Sequence, residues 1–179
     1  MGIPKVWGDV FGVALFGLML GLGRTMYAKY GSNIERVLLF SAIGATVCYG
    51  TAALSGIPVL GLLACGVTGF CTAMMWPGCL IVAADRVPTG GVFIYAMMAA
   101  GGDLGASVGP QMVGIVTDAI VASNQAANFA QTLGYTVEQL GMKVGMLIGM
   151  LFPMIAIFVY LAMVKKKKRL PLQNGNSSL

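Results

Sequence analysis

Five runs of about twenty mostly apolar residues recur along the chain, and runs of that length narrow its folding options more than any other feature. A bilayer core about 30 Å thick is crossed by about 20 helical residues. In hydrocarbon every backbone N–H and C=O must be satisfied within the segment, which an α-helix achieves. The runs cover approximately residues 5–23, 34–54, 58–83, 92–117 and 141–164, and are rich in Leu, Val, Ile, Met, Ala and Gly. Composition agrees, at 58% hydrophobic and 9% charged residues, with a mean hydropathy of +0.85; soluble domains are far more polar. The expected fold is therefore an all-α membrane bundle of five transmembrane helices within residues 1–169. The tail 170–179, with Pro171, Gly175 and its Asn, Gln and Ser residues, is expected to be disordered.

Orientation follows from the positions of Lys and Arg, because short cytoplasmic loops retain positive charge during insertion. The run Lys165-Lys166-Lys167-Lys168-Arg169 belongs inside, and an odd number of crossings then puts the N-terminus outside. The segment from Arg24 to Arg36 and the short loop with Asp85 and Arg86 fall on the same inner side. The longest loop, Asp118 to Tyr135, is external and carries no Lys or Arg. The net charge of +5 thus describes membrane orientation, with lipid as the partner and no role for nucleic acid.

The chain has no histidine, and its four cysteines, Cys48, Cys65, Cys71 and Cys79, form no C-x-x-C pair. Ordinary zinc sites and His-dependent triads are thereby excluded, and the cysteines read as small packing residues. No Walker A sequence, nucleophile elbow or acidic catalytic pair is present. The expectation is a protein that is not an enzyme and uses no cofactor or metal.

Small residues at four-residue spacing let membrane helices approach closely. Such stripes occur at Gly8 and Gly12, at Gly17 and Gly21, at Gly61, Cys65, Gly69 and Ala73, at Gly101, Gly105 and Gly109, and at Gly141, Gly145 and Gly149. Pro77, Pro110 and Pro153 lie inside spans, where each removes a helical hydrogen bond and favours a kink. Thr136-Val137-Glu138-Gln139 fits a capping box, so the last helix is expected to begin ahead of its apolar run.

Asp103 is the leading candidate for function. A charge at that depth costs about 2.5–3.5 kcal/mol on insertion scales. Tyr95, Ala99, Asp103, Ser107 and Gln111 follow one another at four-residue spacing along one helical stripe, and Gly101, Gly105 and Gly109 lie on the other side of the helix. Either the polar stripe borders an aqueous path, with Asp103 contacting substrate or exchanging a proton, or Asp103 hydrogen-bonds a neighbouring helix or is protonated and inert. Trp76, directly before Pro77, could be aimed into a cavity by a bend or could serve packing.

Three segments give the chain a resemblance to the C-terminal part of a major facilitator superfamily transporter. Gly23-Arg24 followed by Lys29-Tyr30-Gly31 looks like the short basic loop between helices 8 and 9, with Ala28 where that loop normally has an acidic residue. Met75-Trp76-Pro77-Gly78 resembles helix 10 of the sugar and fucose permease branch, and Ala100 to Pro110 resembles the glycine-rich helix 11. The resemblance covers residues 5–169 and implies helices 8 to 12 of twelve, a fragment whose N-terminal helices are missing. It implies alternating-access secondary transport of a small polar solute, a sugar among the candidates, with a proton as the candidate coupling ion. Spans one, three and four would line the cavity, and spans two and five would support them from outside. Asp103, Ser107, Gln111, Trp76 and Tyr95 would contact substrate, and Gly23, Arg24, Lys29 and Gly31 would form the cytoplasmic loop motif. The competing expectation is a small membrane scaffold or subunit that completes its bundle with another chain.

Overall fold

The computed structural model describes residues 5–31 and 33–169; the tail expected to be disordered lies outside them. Among the described residues the regular structure is entirely helical. The helices are α1 (Lys5–Tyr30), α2 (Ile34–Leu54), α3 (Pro58–Thr72), α4 (Met75–Arg86), α5 (Gly91–Val121), α6 (Asn124–Thr132), α7 (Val137–Gly149) and α8 (Leu151–Arg169). Five segments are long and apolar enough to cross a membrane: Val10–Tyr30, Ile34–Leu54, Pro58–Arg86, Gly91–Val121 and Val137–Lys166. The third combines α3 with α4 and the fifth α7 with α8, each interrupted near its middle.

The interruptions have a backbone cause. Pro77 has no N–H for the carbonyl of Ala73, and Pro153 none for that of Gly149. Accordingly α3 stops at Thr72, with Ala73 N–H donating to the Phe70 carbonyl in a tightened turn, and α7 stops at Gly149. Pro110, by contrast, sits within an unbroken α5.

Two boundaries differ from expectation. The first helix continues past Gly23 to Tyr30, so Gly23, Arg24 and Lys29 are helical and only Gly31 falls in the connection. Arg and Lys are good helix formers, and their aliphatic stems lie along apolar surface while their charged ends reach water. The stretch Asp118 to Tyr135 is shorter as a loop than expected, because α5 extends to Val121 and α6 occupies most of the remainder, burying Ala130. The capping box forms as expected: Gln139 N–H donates to Thr136 Oγ1 at 3.2 Å, and Thr136 N–H donates to Gln139 Oε1 at 3.2 Å.

The second span is the centre of the bundle and not an outer support. It packs on α3 and α4 to one side and on α7 and α8 to the other, whereas α1 packs along α3 and reaches the core cluster through Tyr27. Ala42, Ala45, Cys48 and Ala53 are buried along α2 and are small enough for neighbours to approach on both sides. Ile34, Leu38, Met74, Val82 and Tyr160 complete the core cluster around Ala42.

The small-residue stripes divide into used and open ones. A β-carbon on Gly69 would land on the Phe16 carbonyl, so only glycine permits the close approach of α1 and α3 there. Gly141 and Gly145 receive Thr117 and Val113 of α5, and the Thr117 hydroxyl donates to the Gly141 carbonyl at 3.3 Å. Gly17, Gly21, Gly61, Gly101, Gly105 and Gly109 face open space.

Polar ties fasten both ends of α2. Arg86 Nη2 lies 2.9 Å from Glu35 Oε1, joining the last turn of α4 to the first turn of α2. At the opposite end Lys143 Nζ donates to the carbonyls of Ala53 (3.0 Å) and Ser55 (2.6 Å) and lies 4.7 Å from the Tyr135 ring centre. In both places a side chain complements the partial charge of a helix end.

Candidate functional site

The fourth span brings the two candidate regions together, because its opposite faces have different surroundings. None of the residues of α5 is fully buried, and it touches α4, α6 and α7 but neither α2 nor α8 through its backbone. One face looks into the bundle and the other away from it.

The inward face carries glycine. Gly105, Val108, Gly109, Pro110 and Val113 form one wall of a cavity of about 680 Å³. The second wall is Met146, Gly149, Phe152 and Pro153, and the third is Ala45, Tyr49, Thr72 and Met75. The middles of spans three, four and five, near Thr72, Ala106 and Leu151, all lie at this level. The cavity is therefore central in depth, and both helix breaks open onto it. Tyr49 and Thr72 bring the side-chain hydroxyls to its lining, and that of Thr72 donates to the Thr68 carbonyl of its own helix at 2.9 Å.

The outward face carries the predicted polar stripe. Tyr95, Asp103, Ser107 and Gln111 are all exposed, and none lines the central cavity. Ser107 Oγ donates to the Asp103 backbone carbonyl at 2.8 Å, a bond within the helix, and Asp103 itself is exposed. Asp103 lies within one turn of the middle of its span. A carboxylate at that depth is expensive to place against acyl chains.

Trp76 takes a different position from its predicted partners. Its indole rests on Gly102, where any side chain would collide with the ring, and so bridges α4 to α5 beside the central cavity. Asp103 follows Gly102 in sequence but points about 100° further round the helix.

The basic loop motif is also rearranged. Arg24 Nε donates to the carbonyl of Ala73 at 3.3 Å, and Gly23 allows this by packing directly on Ala73. That carbonyl is the acceptor orphaned by Pro77. Lys29 instead lies 5.2 Å from the Tyr30 ring centre. Sequence reasoning identified Pro77 and Arg24 separately and missed their meeting. It also missed Glu35 with Arg86 and the cap that Lys143 provides, since each joins residues at least fifty positions apart.

Among the described residues no group of His, Cys, Asp or Glu could hold a metal ion. No protein family, curated protein or solved structure matches the chain.

Proposed function

We propose that this bundle is part of a secondary transporter, of major facilitator type, that moves a small polar solute by alternating access. One observation carries the reading: Asp103, Ser107 and Gln111 lie exposed on one face of a span long and apolar enough to cross a membrane. Lipid is a poor neighbour for that face, with an insertion cost of about 2.5–3.5 kcal/mol for the carboxylate alone. Further helices and water are the better ones. The solute path then runs along the outward face of α5, between it and helices beyond this bundle, with Asp103 as the group that contacts solute or carries the coupled proton. The apolar central cavity serves as the space into which α5 moves. In this reading the end bearing Arg86 and Lys165 is cytoplasmic.

Thiol labelling tests the proposal. In a variant with the four native cysteines replaced by Ala, Ser107→Cys in sealed vesicles should react with a membrane-impermeant maleimide, and a transported sugar should protect it. Reaction only with lipid-soluble reagents would reject a wet path along α5.

A further inference from the structure

A second apolar space lies toward the basic end of the bundle from the central cavity. Here the backbones of α5 and α8 stay apart, and a cavity of about 450 Å³ lies between α4, α5 and α8. It lies on the same helices one or two turns further on: Cys79 and Val82 follow Met75, Ala156 follows Phe152, and Met98 precedes Gly105. This second space forms a cleft that follows α4 from Cys79 to Arg86. At 1.5 Å per residue that is about 11 Å, within one leaflet of a hydrocarbon core about 30 Å thick.

Beyond the central cavity α5 closes on α7, where Thr117 and Val113 pack directly on Gly141 and Gly145, so the cleft does not run the length of the bundle. A complete transmembrane helix needs a groove through both leaflets, whereas a lipid tail needs only one. In the wall of the cleft the Tyr160 hydroxyl and the Cys79 thiol are paired with each other at 3.4 Å, so the surface suits hydrocarbon better than a sugar. At the mouth stands Arg86, which uses one guanidinium nitrogen on Glu35 and is partly exposed. Lys165 and Lys166 are exposed just beyond Met163 of the lining. Asp85 is exposed on the same turn as Arg86.

We infer that the cleft between α4, α5 and α8 holds an acyl chain of an anionic phospholipid, whose phosphate sits among Arg86, Lys165 and Lys166. The inference rests on membrane immersion and is independent of the transport proposal.

Trp76 lies on α4, which walls the cleft, with its indole on Gly102 of α5, and serves as the reporter. The chain has two tryptophans, so Trp7→Phe leaves Trp76 as the only tryptophan, excited selectively at the red edge beyond tyrosine absorption. The full chain carrying this change is reconstituted in phosphatidylcholine bilayers with a minor fraction of phosphatidylglycerol, and mid-chain bromine is placed on one lipid or the other. Brominated phosphatidylglycerol should quench Trp76 more strongly than brominated phosphatidylcholine at equal mole fraction. Lys165→Gln with Lys166→Gln should reduce that preference about five- to thirtyfold. Val159→Phe, at an exposed position in the cleft wall, should abolish it while leaving the basic surface intact. Equal quenching by both lipids would overturn the inference. So would a preference that survives Val159→Phe, because it would then reflect attraction to the basic surface alone.

Discussion

Arg24 donates to the carbonyl of Ala73 across the α1–α3 interface, at the one position in the third span where Pro77 removes the helical donor. The break between α3 and α4 is thereby satisfied from a neighbouring helix. Interhelical hydrogen bonds in membranes average about 0.6 kcal/mol and reach about 1.7 kcal/mol. Arg24→Ala should lower stability within that range, and Arg24→Lys should recover part of it. Pro77→Ala should remove most of the Arg24 dependence by restoring the helical bond. Unfolding in mixed micelles of the two singles and the double measures the coupling, and strict additivity would disprove it.

Glu35 and Arg86 should respond unequally to neutralisation. Glu35 is buried and Arg86 half-exposed, so the carboxylate left by Arg86→Gln is poorly solvated, whereas the guanidinium left by Glu35→Gln can turn to water. Arg86→Gln is expected to cost about 1–3 kcal/mol, and Glu35→Gln clearly less. Thermal unfolding in one detergent compares them directly.

Glycine positions should separate into sensitive and tolerant ones. Gly145→Leu forces a side chain against Val113 and Thr117 and should cost about 1–3 kcal/mol by overpacking. Gly105→Ala meets open space, and should be neutral or stabilise the helix by about 0.5–1 kcal/mol. Midpoints of unfolding for the two variants should therefore shift in different directions or by clearly different amounts.

Asp103→Leu should ease membrane insertion of the fourth span by about 2.5–3.5 kcal/mol, measured as the inserted fraction of a reporter segment. Asp103→Asn in cells that take up the solute should abolish the pH dependence of uptake if this carboxylate carries the proton. Unchanged pH dependence would remove it from coupling.

The five helical segments long and apolar enough to cross a membrane were legible because apolar length is a local property of the sequence. The breaks were partly legible: Pro77 and Pro153 mark them, but each break falls about one turn earlier, at the carbonyl that loses its donor. The end of α1 was misread because Arg24 and Lys29 resemble a topogenic loop, and nothing nearby in sequence shows that Arg24 has an acceptor on α3. The polar stripe of α5 was readable from periodicity, and its exposure is found in the structure. The central cavity was not readable, because it exists only where α5 separates from α8. Which glycine stripe is filled likewise depends on the neighbour's position, as the contrast between Gly145 and Gly105 shows.

The grip on α5 is uneven along its length. Its far third is clamped by Gly141 and Gly145, while toward the basic end the contact of Trp76 with Gly102 is a light fastening. Held this way, the helix is keyed to α7 at one end only, and Asp103 sits on the lightly held side.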